Sequence, residues 1–115
     1  MHEMTKHTAI PAKVKAAVAL RDCADGCCCC VVCGSTYAFP NAHIVRRSQG
    51  GMGVEQNIVS LCNECHRAFD EGEGMDRLRP LGFNTRQDIE DYIVSYIKGF
   101  YPEWTREGVT YRKWE

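Results

Sequence analysis

Two Cys-x-x-Cys pairs, Cys30 with Cys33 and Cys62 with Cys65, flank residues 34–61. Four thiolates satisfy tetrahedral zinc and leave no coordination position open, so this set predicts a structural zinc site, not a catalytic one. Cys30 with Cys33 is the preferred first pair, because Gly34 follows and lets the backbone turn around a metal-bound sulfur. Cysteines 27 to 30 are contiguous, so Cys27 with Cys30 stays open as the alternative frame. Cys23, Cys27, Cys28 and Cys29 otherwise read as small buried residues or exposed thiols.

A second set offers nitrogen and oxygen: His43, Asn57, His66 and Asp70. On a helix, His66 and Asp70 are i and i+4, with Cβ atoms about 6 Å apart, so they can share one divalent cation or form a simple ion pair. Cys65 and Phe69 stand one residue earlier, on a face turned by about 100°. One short helix can therefore carry the zinc on one side and an open N/O site on the other. Arg46 and Arg47 follow His43 closely and are placed to meet phosphates. That cluster matters because the whole chain does not advertise nucleic-acid binding: it has 14 basic and 15 acidic side chains and a net charge of −1.

The elements that must position these groups can be read in outline. A chain of 115 residues suits one compact domain with a modest core, where a metal staple matters. Residues 1–9 look like a frayed polar start. Residues 11–21 read as a short amphipathic helix, with Pro11 in its first turn, Val14, Ala17 and Val18 at helical spacing, and Gly26 as a stop beyond it. "TYAFPNAHIV" reads as extended and broken by Pro40, "RRSQGGMGVEQ" as a loop, "NIVSL" as a strand. "CNECHRAFDEG" reads as a helix that stops near Gly72 or Gly74. "EGEGMDRLRPLGF" has no defined element. Ile89, Tyr92, Ile93, Tyr96 and Ile97 mark a helix over about 85–98, with a capping box from Asn84 to Gln87 and a C-cap at Gly99. The tail, "YPEWTREGVTYRKWE", can pack on the domain or reach a partner. No run of about 18 apolar residues is present, so no membrane-spanning helix is expected. "MHEMTKHTAIPAKVKAAVAL" lacks the apolar core and cleavage pattern of a secretory signal, so a reducing compartment, and zinc over disulfides, is expected. The fold class is α+β: a small zinc-stapled core with flanking N- and C-terminal helices.

The string formed by Cys-x-x-Cys, "AHIV" closing a strand, "GG", Asn57 opening the next strand and "LCNECH" resembles the HNH endonuclease family, in particular its small phage and prophage members. The resemblance runs from Cys30 to Asp70. It implies a ββα-metal fold and metal-dependent hydrolysis of DNA phosphodiester bonds, by nicking or double-strand cutting, leaving 3′-hydroxyl and 5′-phosphate ends. In that family His43 would be the general base, Asn57 would fasten the loop that aims it, and His66 would be a metal ligand. The chemistry agrees: an imidazole near its ordinary pKa takes a proton from water at neutral pH, and an asparagine amide can tie down a glycine-rich loop.

One position departs from the family pattern. An Asp or His often precedes the catalytic histidine and ligates the metal; here that position is Ala42, and the last position of the pattern is Asp70. The cation would rest on His66 and Asp70, with Asn41 nearby. An oxygen-rich site leans toward Mg²⁺ or Mn²⁺, with Ni²⁺ or Zn²⁺ as alternatives. The resemblance also implies DNA as partner and the cytoplasm of a bacterium or phage-infected host as the setting, and it is compatible with a partnership with phage packaging proteins. The rival reading is a non-catalytic zinc-knuckle module that binds nucleic acid or protein. Nothing resembles an added DNA-reading domain, so low sequence specificity is expected.

Overall fold

A computed structural model describes residues 7–24 and 27–111, with the backbone alone at residues 24 and 27. Of the frayed start expected at residues 1–9, residues 1–6 lie outside the described residues, as do the stop at Gly26, the Cys27 side chain and the end of the tail at residues 112–115; Thr8 is not frayed but buried. The chain runs through helix α1 (Ala12–Arg21), a short hairpin of β1 (Cys23–Ala24) and β2 (Cys27–Cys28), then β3 (Ala38–His43), β4 (Ile58–Cys62), helix α2 (Asn63–Glu71) and helix α3 (Arg86–Phe100). The result is a mixed fold: helices around a small two-stranded antiparallel sheet of β3 and β4, with four cysteines gathered at one end. No helix among the described residues is long and apolar enough to cross a membrane.

β4 is buried at all five of its residues, because both faces of the β3–β4 pair are covered. On one face Val59 and Leu61 join Ala42, Phe69 and the α3 residues Ile89, Ile93 and Ile97 in the main core. On the other face Ile58 packs against Val14 and Val18 of α1. The sequence expectation for α3 as a core-packing stripe holds for the three isoleucines, which are fully buried, while Tyr92 is exposed.

The pairing of β3 with β4 carries a bulge. Phe39 opposes Leu61 and Ala42 opposes Val59, so Pro40 and Asn41 together stand opposite Ser60. Pro40 has no N–H to give a ladder, which is why the break falls there. Ala42 lies in the main core, as Ala38 does before the bulge, and His43 stands opposite Ile58, which packs on α1.

The end of α1 is locked by a buried carboxylate that the sequence did not advertise. The Asp22 side chain is fully buried. It accepts from Arg21 Nε at 2.9 Å and Nη2 at 3.1 Å, from the Ser60 N–H at 2.9 Å and from the Tyr96 hydroxyl at 2.6 Å. Arg21 also donates to the carbonyls of Glu55 and Ile58, and its guanidinium lies over the rings of Phe100 and Tyr101. This satisfied network ties α1, β4 and α3 together, and removing one partner of such a buried pair costs about 3–5 kcal/mol.

Several expected boundaries move. Pro11 is the N-cap of α1, one position before its first turn. α3 is capped by Thr85, whose hydroxyl accepts the Asp88 N–H while Asp88 accepts the Thr85 N–H, so the box is Thr85–Asp88 and not Asn84–Gln87. The helix also runs through Gly99 to Phe100, because the Phe100 ring packs edge-on against Tyr96 one turn earlier. Residues 72–83, expected without structure, contain two 3-10 turns (Met75–Arg77 and Arg79–Leu81) that bury Leu78 and Phe83 in the core.

Candidate functional site

The four sulfurs of Cys30, Cys33, Cys62 and Cys65 lie within 4.8 Å of one another. The first pair comes from the turn before β3, the second from the end of β4 and the first turn of α2. In each pair the second cysteine's N–H points at the first cysteine's sulfur: Cys33 N–H to Cys30 Sγ at 3.5 Å and Cys65 N–H to Cys62 Sγ at 3.4 Å. Gly34 then turns in the left-handed region at φ 80°, as the preferred frame requires. These backbone donors stabilise thiolates, so the donor set fits a four-thiolate tetrahedral ion such as zinc. As free thiols the four cannot all ionise together. The neighbouring Cys65 thiol holds the Cys30 thiol well below the ordinary thiol range. The same contact, with burial, pushes Cys65 up. A divalent cation is what lets all four be thiolates at once. Cys28, set aside as a ligand, instead approaches the Ser60 hydroxyl at 3.2 Å.

α2 separates two surfaces. Cys65 and Phe69 are buried beneath it, while His66 and Asp70 are part-exposed on the adjacent face. His66 Nε2 lies 2.9 Å from Asp70 Oδ2. Both line a cleft of about 530 Å³, together with Asn41, His43, Arg46 and Arg47. Ala42 is fully buried in the core and takes no part in the cleft. Two donors, an imidazole and a carboxylate, can grip a cation from one side and leave the rest of its shell to water or substrate. Among the described residues, only the cysteine set gathers three or more His, Cys, Asp or Glu side chains around one point.

His43 ends β3 at the floor of this cleft. Its Nε2 lies 2.8 Å from the Thr8 carbonyl, which can only accept, so Nε2 carries hydrogen and Nδ1 keeps the lone pair. Burial lowers the His43 pKa from the ordinary 6.5, with Arg47 and His66 adding to that effect and the Thr8 carbonyl and Asp70 opposing it. Arg46 is anchored by its Nη2 on the Asp70 carbonyl at 2.7 Å, and Arg47 by its Nε on the Thr8 hydroxyl at 3.3 Å. Both cations stay in the cleft wall. Lys15, on α1, lines the same cleft.

Asn57 does not reach the cleft. It is fully buried behind the loop that follows His43, at the end of a 3-10 turn (Glu55–Asn57), one residue before β4 opens. Its Oδ1 accepts the Val45 N–H, and its Nδ2 donates to the carbonyls of Val45 and Met52. Gly51 makes room for this: a Cβ there would overlap the Val45 carbonyl. The N-terminal segment at Thr8 and the cleft lysine, Lys15, were not singled out from the sequence, because neither stands in a motif or a periodic pattern.

Residues 30–70 match the HNH endonuclease family. The match starts at Cys30, the first of the four clustered cysteines, and ends at Asp70, covering about a third of the chain. A nuclease-type or nucleic-acid-binding function is what the HNH match indicates. The chain is also similar to a protein named Anaredoxin from Nostoc sp. (strain PCC 7120), 36% identical over 45 residues, which span 38% of this chain and 59% of that protein. No solved structure matches the chain significantly.

Proposed function

We propose that the protein is a metal-dependent HNH endonuclease that hydrolyses DNA phosphodiester bonds in a bacterial or phage-infected cytoplasm. The observation that carries this reading is that His43 and the His66–Asp70 pair line one open cleft walled by Arg46 and Arg47. In this reading His43 is the general base. Its Nδ1 takes a proton from water, the water oxygen forms a new bond to phosphorus, and the bond to the 3′ oxygen breaks, with solvent protonating the leaving oxygen. Burial keeps the imidazole neutral and so ready to accept that proton. Asn57 holds the loop after His43 in one conformation, and Arg46 and Arg47 hold the phosphate by charge. His66 and Asp70 would hold the divalent cation, Mg²⁺ or Mn²⁺ by their hardness, with Ni²⁺ or Zn²⁺ as alternatives. When bound, that cation would offset the negative charge that builds up on the phosphate and the departing oxygen.

The test is conversion of supercoiled plasmid to nicked circles with Mg²⁺ or Mn²⁺, and its loss in EDTA. One observation favours the alternative, a non-catalytic zinc-knuckle module that binds nucleic acid or protein: His66 and Asp70 already contact each other at 2.9 Å, as a plain ion pair would. Binding of plasmid without cleavage at any metal concentration would select that alternative.

A further inference from the structure

The family match begins at residue 30, yet the imidazole in the cleft is held from residue 8. The segment that does this is fastened on three sides. The Gly53 N–H donates to the His7 carbonyl at 3.0 Å. The His7 ring stacks on Tyr111 with centroids 4.2 Å apart. Thr8 is buried, and its hydroxyl receives Arg47 Nε. Gly53 has no room to spare: a Cβ there would overlap the Ala9 carbonyl. The other side of the same loop is bonded to the C-terminal segment, through Met52 N–H to the Val109 carbonyl and Tyr111 N–H to the Gly50 carbonyl. The loop between β3 and β4 is thus held between the two ends of the described chain.

We infer that the N-terminal arm, residues 7–10, is a built part of the catalytic centre: the Thr8 carbonyl is a positioning group that fixes His43 with hydrogen on Nε2 and leaves Nδ1 to take the proton. This deepens the proposed function and rests on His43 being the base. A carbonyl oxygen accepts hydrogen bonds and never donates, so it selects one neutral tautomer of the ring it faces. A free imidazole exchanges between both tautomers and turns about its side-chain bonds. The arm removes both freedoms. Arg47 takes part twice, lining the cleft and gripping the arm at Thr8.

The experiment uses the full chain and two ways of releasing the arm. Gly53→Ala forces the Ala9 carbonyl away, and deletion of residues 1–8 removes the contact while leaving Ile10 on the small core beside Val14, Val18 and Ile58. The readouts are the ring-nitrogen chemical shifts of His43, the kcat and KM of plasmid nicking, and zinc content. In the parent, His43 is expected as a single neutral tautomer with hydrogen on Nε2. In both variants it is expected as a mixture, with kcat lower by on the order of 10²-fold, the scale of a misplaced catalytic group, and with zinc content unchanged. A parent carrying hydrogen on Nδ1 overturns the inference, as does a released arm that leaves the tautomer unchanged. A rise in kcat on release also overturns it, since the arm would then be an obstruction. If Gly53→Ala does not fold, the deletion and His7→Ala, which removes the stack on Tyr111, give the same readouts. A parent that cleaves no DNA refutes the nuclease reading, and the tautomer of His43 still decides the role of the arm.

Discussion

Asn57 pairs its side-chain amide with both backbone polar groups of Val45, accepting the N–H at 2.8 Å and donating to the carbonyl at 3.1 Å. A third bond, to the Met52 carbonyl at 3.0 Å, closes the loop between these positions. Asn57→Ala leaves these backbone groups buried and unpaired, so it is expected to cost about 2–4 kcal/mol of folding stability, read by denaturant unfolding. Gly51→Ala should act on the same contact from the other side, because its Cβ would push on the Val45 carbonyl. Both variants should lower activity through the position of His43 while leaving the cysteine cluster its zinc.

The four-cysteine cluster should behave differently. Cys62→Ser or Cys65→Ser is expected to unfold the protein, because a structural four-cysteine site supplies on the order of 10–16 kcal/mol of apparent metal-binding free energy to folding. Elemental analysis should find about one tightly held zinc per chain. A folded Cys65→Ser protein without zinc would remove the structural role.

Much of this arrangement was legible in the sequence. Fixed spacing carried the most: two Cys-x-x-Cys pairs left little choice of partners, and the i, i+4 offset put His66 with Asp70 and Cys65 with Phe69 on separate faces of α2. Local signals with a neighbour of equal quality did not resolve. Asn84 and Thr85 are both good caps, and the frame was set by the need to bury Ile89, Ile93 and Ile97. Gly99 looked like a stop, but Phe100 gains a partner in Tyr96 by extending the helix. Contacts between distant segments were invisible. Asp22 reads as a loop residue until Ser60 and Tyr96 surround it, and Thr8 reads as part of a polar start until its carbonyl meets His43. The bulge at Pro40 and Asn41 was half legible: the proline marked the break, but that His43 then pairs with Ile58 needs the register.

The pH dependence follows from His43. Its folded pKa lies below the ordinary 6.5, chiefly through burial. In the proposed mechanism the neutral ring is the active form, so activity should fall only as pH drops through that lowered value, and the acid limb should sit below 6.5. The stability sign runs the same way: the folded chain binds this proton less readily than the unfolded chain. The contribution is therefore present above about pH 6.5 and lost as pH falls through the folded pKa. Nicking rate and unfolding midpoint measured between about pH 5 and 8 check both limbs. An acid limb above 6.5 would point to a different titrating group.

Asp70 should set the metal requirement. With Ala42 unable to ligate, Asp70→Ala is expected to need far more Mg²⁺ or Mn²⁺ for cleavage and to stay folded, because the cysteine cluster lies on another face of α2. Asp70→His should restore cleavage with a nitrogen ligand and shift the preference toward Ni²⁺ or Zn²⁺. Metal titrations of cleavage for the parent and both variants read this out. Superimposable curves for the parent and Asp70→Ala would make Asp70 a surface carboxylate only.

The most direct measurement is plasmid nicking by purified parent and His43→Ala proteins of equal zinc content, each with Mn²⁺ and with EDTA. The parent with Mn²⁺ is expected to convert supercoiled plasmid to nicked or linear forms and to stop in EDTA, and His43→Ala is expected to be slower by roughly 10²–10⁴-fold, the scale of a lost general base. Equal rates for parent and His43→Ala, or no cleavage by the parent with any divalent cation, would contradict a catalytic centre built on His43.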